Sequence, residues 1–171
     1  MTAALVADAT QFARTVDPRS RAGVELEGIV DSGAVPISRD ETWHAVASLL
    51  VVSRDGSILL ARNGSGGWGT AGGHIESHDA SIRAAVVREA KEELRLDLDA
   101  AALSPLLFLP DTMAFRPGHA HWDFCYLRVV DEPTAVTVGD DVTEARWFAL
   151  DDLPDMNEHM QALVGAAVRA R

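Results

Sequence analysis

Residues 72–96 read Gly72-Gly73-His74-Ile75-Glu76-Ser77-His78-Asp79-Ala80-Ser81-Ile82-Arg83-Ala84-Ala85-Val86-Val87-Arg88-Glu89-Ala90-Lys91-Glu92-Glu93-Leu94-Arg95-Leu96. The stretch opens on a glycine pair, where the backbone can turn tightly and approach a ligand that a Cβ would block. A helix is expected from about residue 80 to residue 94, with Asp79 as its N-cap. At about 100° per residue, Glu89, Glu92 and Glu93 fall within roughly one third of its circumference, while Val87, Ala90 and Leu94 take the opposite, core-facing side. Like charges at these spacings each cost an isolated helix about 0.2–0.5 kcal/mol. They also lie near the negative end of the helix dipole, which disfavours them by about 0.3–1 kcal/mol. Arg83, Arg88, Lys91 and Arg95 offset part of that cost. The helix alone admits two readings, a solvated salt-bridged face or an oxygen-rich cradle for a cation. The glycine pair delivering the chain into it favours the second. A phosphate loop ending in Gly-Lys-Ser/Thr is excluded, because His74 and Ile75 follow the glycines.

Upstream, His44 to Ser53 is a continuous apolar run that reads as a strand buried on both faces. Asp55-Gly56 then turns the chain and Ile58 to Ala61 returns, which predicts a hairpin. Asn63 to Gly73 is glycine-rich and reads as a loop. Downstream, strands are expected around Leu103–Leu109, Trp122–Val130 and Ala145–Ala149. A closing helix is expected from about Asp155 to Ala170, with Met160, Leu163, Val164, Ala167 and Val168 on one face. At the other end, Leu5, Ala9, Phe12 and Val16 recur at helical spacing until Asp17-Pro18 stops them. Residues 1–40 are therefore read as an N-terminal extension with a helix over about 3–16, packed on a main domain at 41–171 or on a second subunit. Residues 19–41 show no clear period. Short strands, a central helix and a terminal helix predict an α/β fold, a mixed sheet covered by helices.

The chain has 171 residues, 47% of them hydrophobic, enough for one domain with a real core. A net charge of −11 opposes any sequence-independent grip on a nucleic acid polymer or an anionic membrane. A small phosphorylated partner is compatible with that charge, since a bound cation inverts the local field. Cys125 is the single cysteine, which rules out an intrachain disulfide or a Cys-rich zinc site and fits a reducing compartment. With no leader pattern and no run of 18 apolar residues, a soluble cytoplasmic protein is expected.

Taken together, Gly72-Gly73-His74-Ile75-Glu76 and then Arg88-Glu89-Ala90-Lys91-Glu92-Glu93 resemble the signature of the Nudix hydrolase family. The hairpin before them and Arg146-Trp147-Phe148-x-Leu150 to Leu153-Pro154 extend the resemblance over roughly residues 43 to 155. It implies a Nudix-type α/β/α sandwich with a mixed β-sheet. It also implies a metal-dependent hydrolase that cleaves a diphosphate linkage in a nucleoside diphosphate derivative, ADP-ribose-like or a nucleotide, with Mg²⁺ or Mn²⁺ as cofactor. On the same basis Glu89, Glu92 and Glu93 are the metal ligands, the Gly73 carbonyl adds one, Arg88 orients the glutamates and Glu76 fixes the loop. The general base is Glu92, Glu93 or a carboxylate outside the motif. Glu144, just before the Arg146-Trp147-Phe148 strand, is the outside candidate, and it reads equally as an ordinary loop glutamate.

The chain departs from the family pattern in three places. Gly73 lies one residue further from Arg88, with Asp79 near the place of the usual acidic residue. Arg95 stands where a glycine ends the helix, so a different turn is expected there. Ala71 replaces a common proline.

The strand His119-Ala120-His121-Trp122-Asp123-Phe124-Cys125-Tyr126 alternates, placing His119, His121 and Asp123 on one face. That face reads as a cleft wall or simply as a wet one. A zinc site on it is set aside, because alternation alone produces the spacing. Substrate contacts are expected from Trp68, His74, Glu76, Phe115, His121 and Asp123, with Trp68, Phe115 and Trp122 as candidates for stacking on a base. Pro110 lies near where a proline occurs in members that hydrolyse ADP-ribose, and it fits a strand end equally well. Two other readings stay open. One is a non-catalytic nucleotide-binding sensor on the same fold. The other is an isomerase of the isopentenyl-diphosphate type, whose catalytic cysteine sits in a setting unlike that of Cys125. A homodimer through the apolar surface of residues 1–40 is compatible with the sequence.

Overall fold

The computed structural model describes residues 2–64, 67–111, 119–139 and 141–170, so the expectation placed on Phe115 lies outside the described residues. The helices are α1 (Thr2–Gln11), α2 (Arg21–Asp31), α3 (Ile82–Leu94) and α4 (Glu158–Arg169). The strands are β1 (Trp43–Ser53), β2 (Ser57–Asn63), β3 (Trp68–Gly69), β4 (Ala71–His74), β5 (Ser104–Asp111), β6 (Ala120–Val130) and β7 (Val142–Ala149). The sheet runs β3-β2-β1-β6-β5, with β4 pairing β1 and β7 pairing β2. β1 and β6 are parallel from Trp43 opposite Ala120 to Ser53 opposite Val130. The other pairings are antiparallel. β1 divides its edge between two partners, Val51 and Val52 meeting β2 while Val46 to Leu49 meet β4. That division places the glycine pair beside the central strand and against α3.

Both faces of the sheet are covered. Ala45, Ala47, Leu49, Val51, Phe124 and Tyr126 pack against Ile82, Ala85, Val86, Ala90 and Leu94 of α3 and against the N-terminal helices. On the other face Leu50, Val52, Cys125 and Leu127 meet Met160, Leu163, Val164 and Ala167 of α4. This is the α/β/α sandwich with a mixed sheet that the sequence implies, and β1 is buried on both faces as its apolar run requires. Among the described residues, no helix is long and apolar enough to cross a membrane.

Several elements differ from the sequence reading, each for a local reason. α3 starts at Ile82 and is capped by Ser81, whose side chain accepts the Ala84 N–H. Asp79 is withdrawn from capping because Arg88 holds it. Val86 joins the core face, and Val87 is only half-buried. The first helix ends at Gln11 and tightens into a 3-10 turn over Phe12–Arg14. Residues 21–31 form α2, which buries Gly23, Leu26 and Ile29. Leu26, Ile29 and half-buried Val30 do recur at helical spacing, but Val24 interrupts the pattern by facing solvent. Two short strands, β3 and β4, arise inside the glycine-rich stretch because β2 and β1 offer them edges to pair with.

Arg95 takes the turn after α3 in the left-handed conformation, with φ 52° and ψ 27°, and its N–H reaches the Ala90 carbonyl. The turn that glycine would make is thus retained with arginine, at a cost of roughly 1–2 kcal/mol.

The N-terminal helices belong to the same core as the sheet. Phe12 packs edge-on against Phe124 and Tyr126 at 5.3 and 5.0 Å between ring centres. Asp8 accepts the Arg83 backbone N–H at 2.9 Å, so α1 helps to cap α3. Trp122 donates its indole N–H to Glu25 of α2 at 2.7 Å and packs on Trp43, which commits it away from base stacking. Pro110 sits opposite Trp122 on β5, an edge strand that tolerates the missing donor.

Candidate active site

Arg88 organises the loop between β4 and α3. Its Nε and Nη2 donate to the two oxygens of Asp79 at 3.1 and 2.9 Å. Nη2 also donates to the His74 carbonyl at 2.9 Å. Nη1 donates to Glu89 at 2.8 Å and to Glu92 at 3.0 Å. Asp79, only 5% exposed, accepts the Glu76 N–H at 2.8 Å. Burial alone would raise the Asp79 carboxyl, but the bonds from Arg88 and the Glu76 N–H hold it below the usual carboxylate range. Asp79 is therefore the acid that fixes the loop. The Glu76 side chain turns outward to Arg39 instead.

The glycine pair lies directly against the carboxylates. Glu93 Oε2 accepts the Gly72 N–H at 2.9 Å. A Cβ on Gly73 would come within 2.6 Å of Glu89 Oε1, and one on Gly72 would come within 2.4 Å of the Ala47 carbonyl oxygen. At Gly72 the backbone of β1 leaves no room for a Cβ, whereas at Gly73 one would displace the Glu89 carboxylate. Burial pushes Glu93 up to about 7 in spite of the Gly72 N–H, and Glu89, Asp141 and Glu92 add repulsion. Glu89 is also raised, first by burial and then by Glu92 and Asp79, against the pull of Arg88. Partly desolvated Glu89 and Glu93, with exposed Glu92 on the same helix stripe, offer oxygen donors only, the chemistry that a hard divalent cation prefers. The residues present fit such an ion.

A cleft of about 400 Å³ opens on the other side of the glycine pair. Trp68, Gly73, His74, His121, Asp123 and His159 are among the residues that line it. Of the substrate contacts expected from sequence, Trp68, His74, His121 and Asp123 are thus brought together, while Glu76 is held by Arg39. Arg62 lies 4.6 Å over the Trp68 ring, and Phe148 packs edge-on against it. Burial lowers His74 to about 4, with Arg39 and the neighbouring histidines acting in the same direction.

Asp123 accepts from the Ser48 hydroxyl at 2.7 Å and pairs with His159 Nε2 at 2.8 Å. Nothing in the sequence joins Ser48, Asp123 and His159, which come from β1, β6 and α4. Glu144 stands opposite Arg62 in the β2–β7 pairing and forms ion pairs with Arg146 at 2.5 Å and Arg62 at 3.7 Å. The carboxylate outside the motif that bears on Glu93 is Asp141. Its turn is pinned by the Gly139 N–H donating to the Glu93 carbonyl at 2.7 Å. In the sequence, the adjacent acids Asp140 and Asp141 are the signal that could have found it. Cys125 is wholly buried between β6 and α4, and burial pushes its thiol up.

The family profile described as the NUDIX domain matches residues 42–166. The chain belongs to the Nudix family. Among solved structures it is similar to a MutT NUDIX hydrolase from Burkholderia pseudomallei, with 26% identity over 72% of this chain and 97% of that one and a TM-score of 0.62. The NUDIX domain of Shewanella oneidensis NrtR complexed with ADP ribose aligns over 74% of this chain and 88% of that chain, at 19% identity and a TM-score of 0.62. A bifunctional NMN adenylyltransferase/ADP ribose pyrophosphatase from Francisella tularensis, complexed with AMP and a manganese ion, aligns over 74% of this chain and 40% of that chain, at 18% identity and a TM-score of 0.52. No curated protein sequence matches at a level that separates relatives from chance.

Proposed function

We propose that this Nudix pyrophosphohydrolase cleaves the diphosphate linkage of a small nucleoside diphosphate derivative, ADP-ribose-like in kind, with Mg²⁺ or Mn²⁺ held by Glu89, Glu92, Glu93 and the Gly73 carbonyl. The observation that carries this reading is the contact of half-buried, mutually repelling Glu89 and Glu93 with the glycine pair that walls the cleft. Charge neutralisation at the diphosphate and acidification of a water are what such a cation supplies when bound there.

The chain's own residues hold and orient. Arg88 keeps Glu89 and Glu92 in place while tying down the β4–α3 loop through Asp79. Glu93 anchors Gly72, and through it the cleft wall. Trp68 offers an aromatic surface to a base. Asp123, set by Ser48 and His159, offers a polar end suited to ribose hydroxyls. Proton acceptance from the attacking water is assigned to Glu92 or Glu93. Of the carboxylates outside the motif, Asp141 acts electrostatically on Glu93, whereas Glu144 is bound by arginines. The ADP ribose and the AMP with manganese in two related folds support the nucleotide and metal classes. The core position of Cys125 speaks against isomerase chemistry at its thiol.

The test is a panel of nucleoside triphosphates, ADP-ribose, NADH, dinucleoside polyphosphates and an isoprenoid diphosphate, each with Mg²⁺ or Mn²⁺. Hydrolysis of at least one nucleoside diphosphate derivative, reduced about 100-fold or more in Glu92→Gln or Glu93→Gln, is expected. Binding of a nucleotide without turnover would instead identify a sensor. Full activity in both variants would remove the glutamates from the mechanism.

A further inference from the structure

Four of the six histidines converge outside the carboxylate cluster. His44 lies in β1, His74 ends β4, and His119 and His121 flank the start of β6. Strand register places His44 beside His121 and Val46 opposite His74. One ring nitrogen from each of the four lies within 4.8 Å of the others.

We propose that His44, His74, His119 and His121 form a second metal centre that takes a zinc-type divalent cation through four imidazole nitrogens. The hydrogen bonding of His44 is the strongest argument. Its ring is fully buried, and Nδ1 lies 3.2 Å from the Glu41 carbonyl, an acceptor, so Nδ1 carries the proton. Nε2 is then a lone-pair donor turned into the cluster. It is buried, and among the described residues it has no hydrogen-bond partner, as is also true of His74 Nε2. A buried acceptor left unmet is costly, and a bound cation would remove that cost. Backbone support on one ring nitrogen with the other left open is how ligating histidines are oriented.

The remaining pair fits the same ion. Nε2 of His119 and Nε2 of His121 are 3.1 Å apart. Two nitrogens bound to a tetrahedral zinc at about 2.05 Å stand about 3.3 Å apart. Alternation along β6 explains His119 and His121 alone, but it does not explain His44 and His74, which come from strands distant in sequence. Four nitrogen donors favour zinc, whereas the all-oxygen glutamate set favours magnesium or manganese, so the two sites select different metals. Four protein ligands also close the coordination sphere, which marks a structural centre. It would tie β4 to β6 across β1 and stiffen the wall that carries Gly73.

The test uses the full chain, stripped with chelator and titrated with Co²⁺ and then Zn²⁺. One equivalent of Co²⁺ should give the intense visible absorption of a tetrahedral ion, and one equivalent of Zn²⁺ should abolish it and raise the melting temperature. X-ray absorption on the zinc-loaded wild type should show a nitrogen shell with imidazole scattering, a readout that needs no variant. His119→Ala/His121→Ala should weaken Zn²⁺ binding at least 100-fold, while Glu92→Gln/Glu93→Gln should leave the cobalt spectrum in place. Binding of less than one equivalent, an oxygen-dominated shell, or loss of the spectrum in the glutamate variant would each overturn the proposal.

Discussion

Glu93 shows how burial and like-charged neighbours together reshape the titration of one side chain. Burial and its acidic neighbours move its pKa from 4.5 to about 7. Between those values the folded chain binds a proton that the unfolded chain releases. Glu93 therefore subtracts stability as pH rises from 4.5 to 7, and the loss is complete above 7. His74 acts in the opposite sense, because burial lowers it from 6.5 to about 4, so its contribution is lost as pH falls through that window. Comparing wild type with Glu93→Gln separates the two. Without added divalent cation, denaturant unfolding should show the variant gaining about 1–2 kcal/mol on the wild type between pH 4.5 and pH 8, once screening is allowed for. Saturating Mg²⁺ should shrink that gain. A difference independent of pH would show that Glu93 carries no such strain. Arg88→Met makes a second test at this scale. Leaving Asp79 buried and unpaired should lower stability by about 3–5 kcal/mol, read from the unfolding midpoint.

Among the elements, α3 was the most legible in sequence and β4 the least. The helix announces itself through charge periodicity, since Glu89, Glu92 and Glu93 on one stripe need neighbours to offset them. Its start was misread because Asp79 has two possible uses, and the stronger, the ion pair with Arg88, is tertiary. β4 is half glycine and has little strand propensity of its own. It exists because β1 presents an open edge. α2 is obscured in the sequence by Val24, an exposed apolar residue off the stripe of Leu26, Ile29 and Val30. The cleft was only half readable, because alternation exposed His121 and Asp123 while Ser48 and His159 reach Asp123 only through packing of β1 and α4. The end of α3 supports a direct prediction. Arg95 holds a left-handed conformation, so Arg95→Gly should stabilise the chain by about 0.5–1 kcal/mol, measured by thermal or chemical unfolding. No gain would mean that contacts of the arginine side chain offset its backbone strain.

Across the whole molecule, residues 1–40 are read as part of the folding unit. Leu5, Ala9, Phe12, Leu26 and Ile29 lie in the core that also contains α3 and the sheet, and Asp8 caps the helix that carries the glutamates. Phe12→Ala should cost about 3–5 kcal/mol, and Asp8→Ala about 1–2 kcal/mol. Removal of residues 1–40 should abolish cooperative unfolding. A truncated chain that unfolds as cooperatively as the full one would make the helices an accessory. Size-exclusion chromatography of the full chain tests the homodimer that the sequence allows, and a single species at the size of one chain would exclude it. The decisive measurement on the proposed chemistry is the initial rate of ADP-ribose cleavage as a function of Mn²⁺ concentration, in wild type and in Glu93→Gln. The wild-type rate should rise from near zero to saturation with Mn²⁺ and fall about 100-fold or more in the variant. Cleavage that proceeds equally without divalent cation, or a variant as fast as the wild type, would rule out metal-dependent hydrolysis at the glutamates.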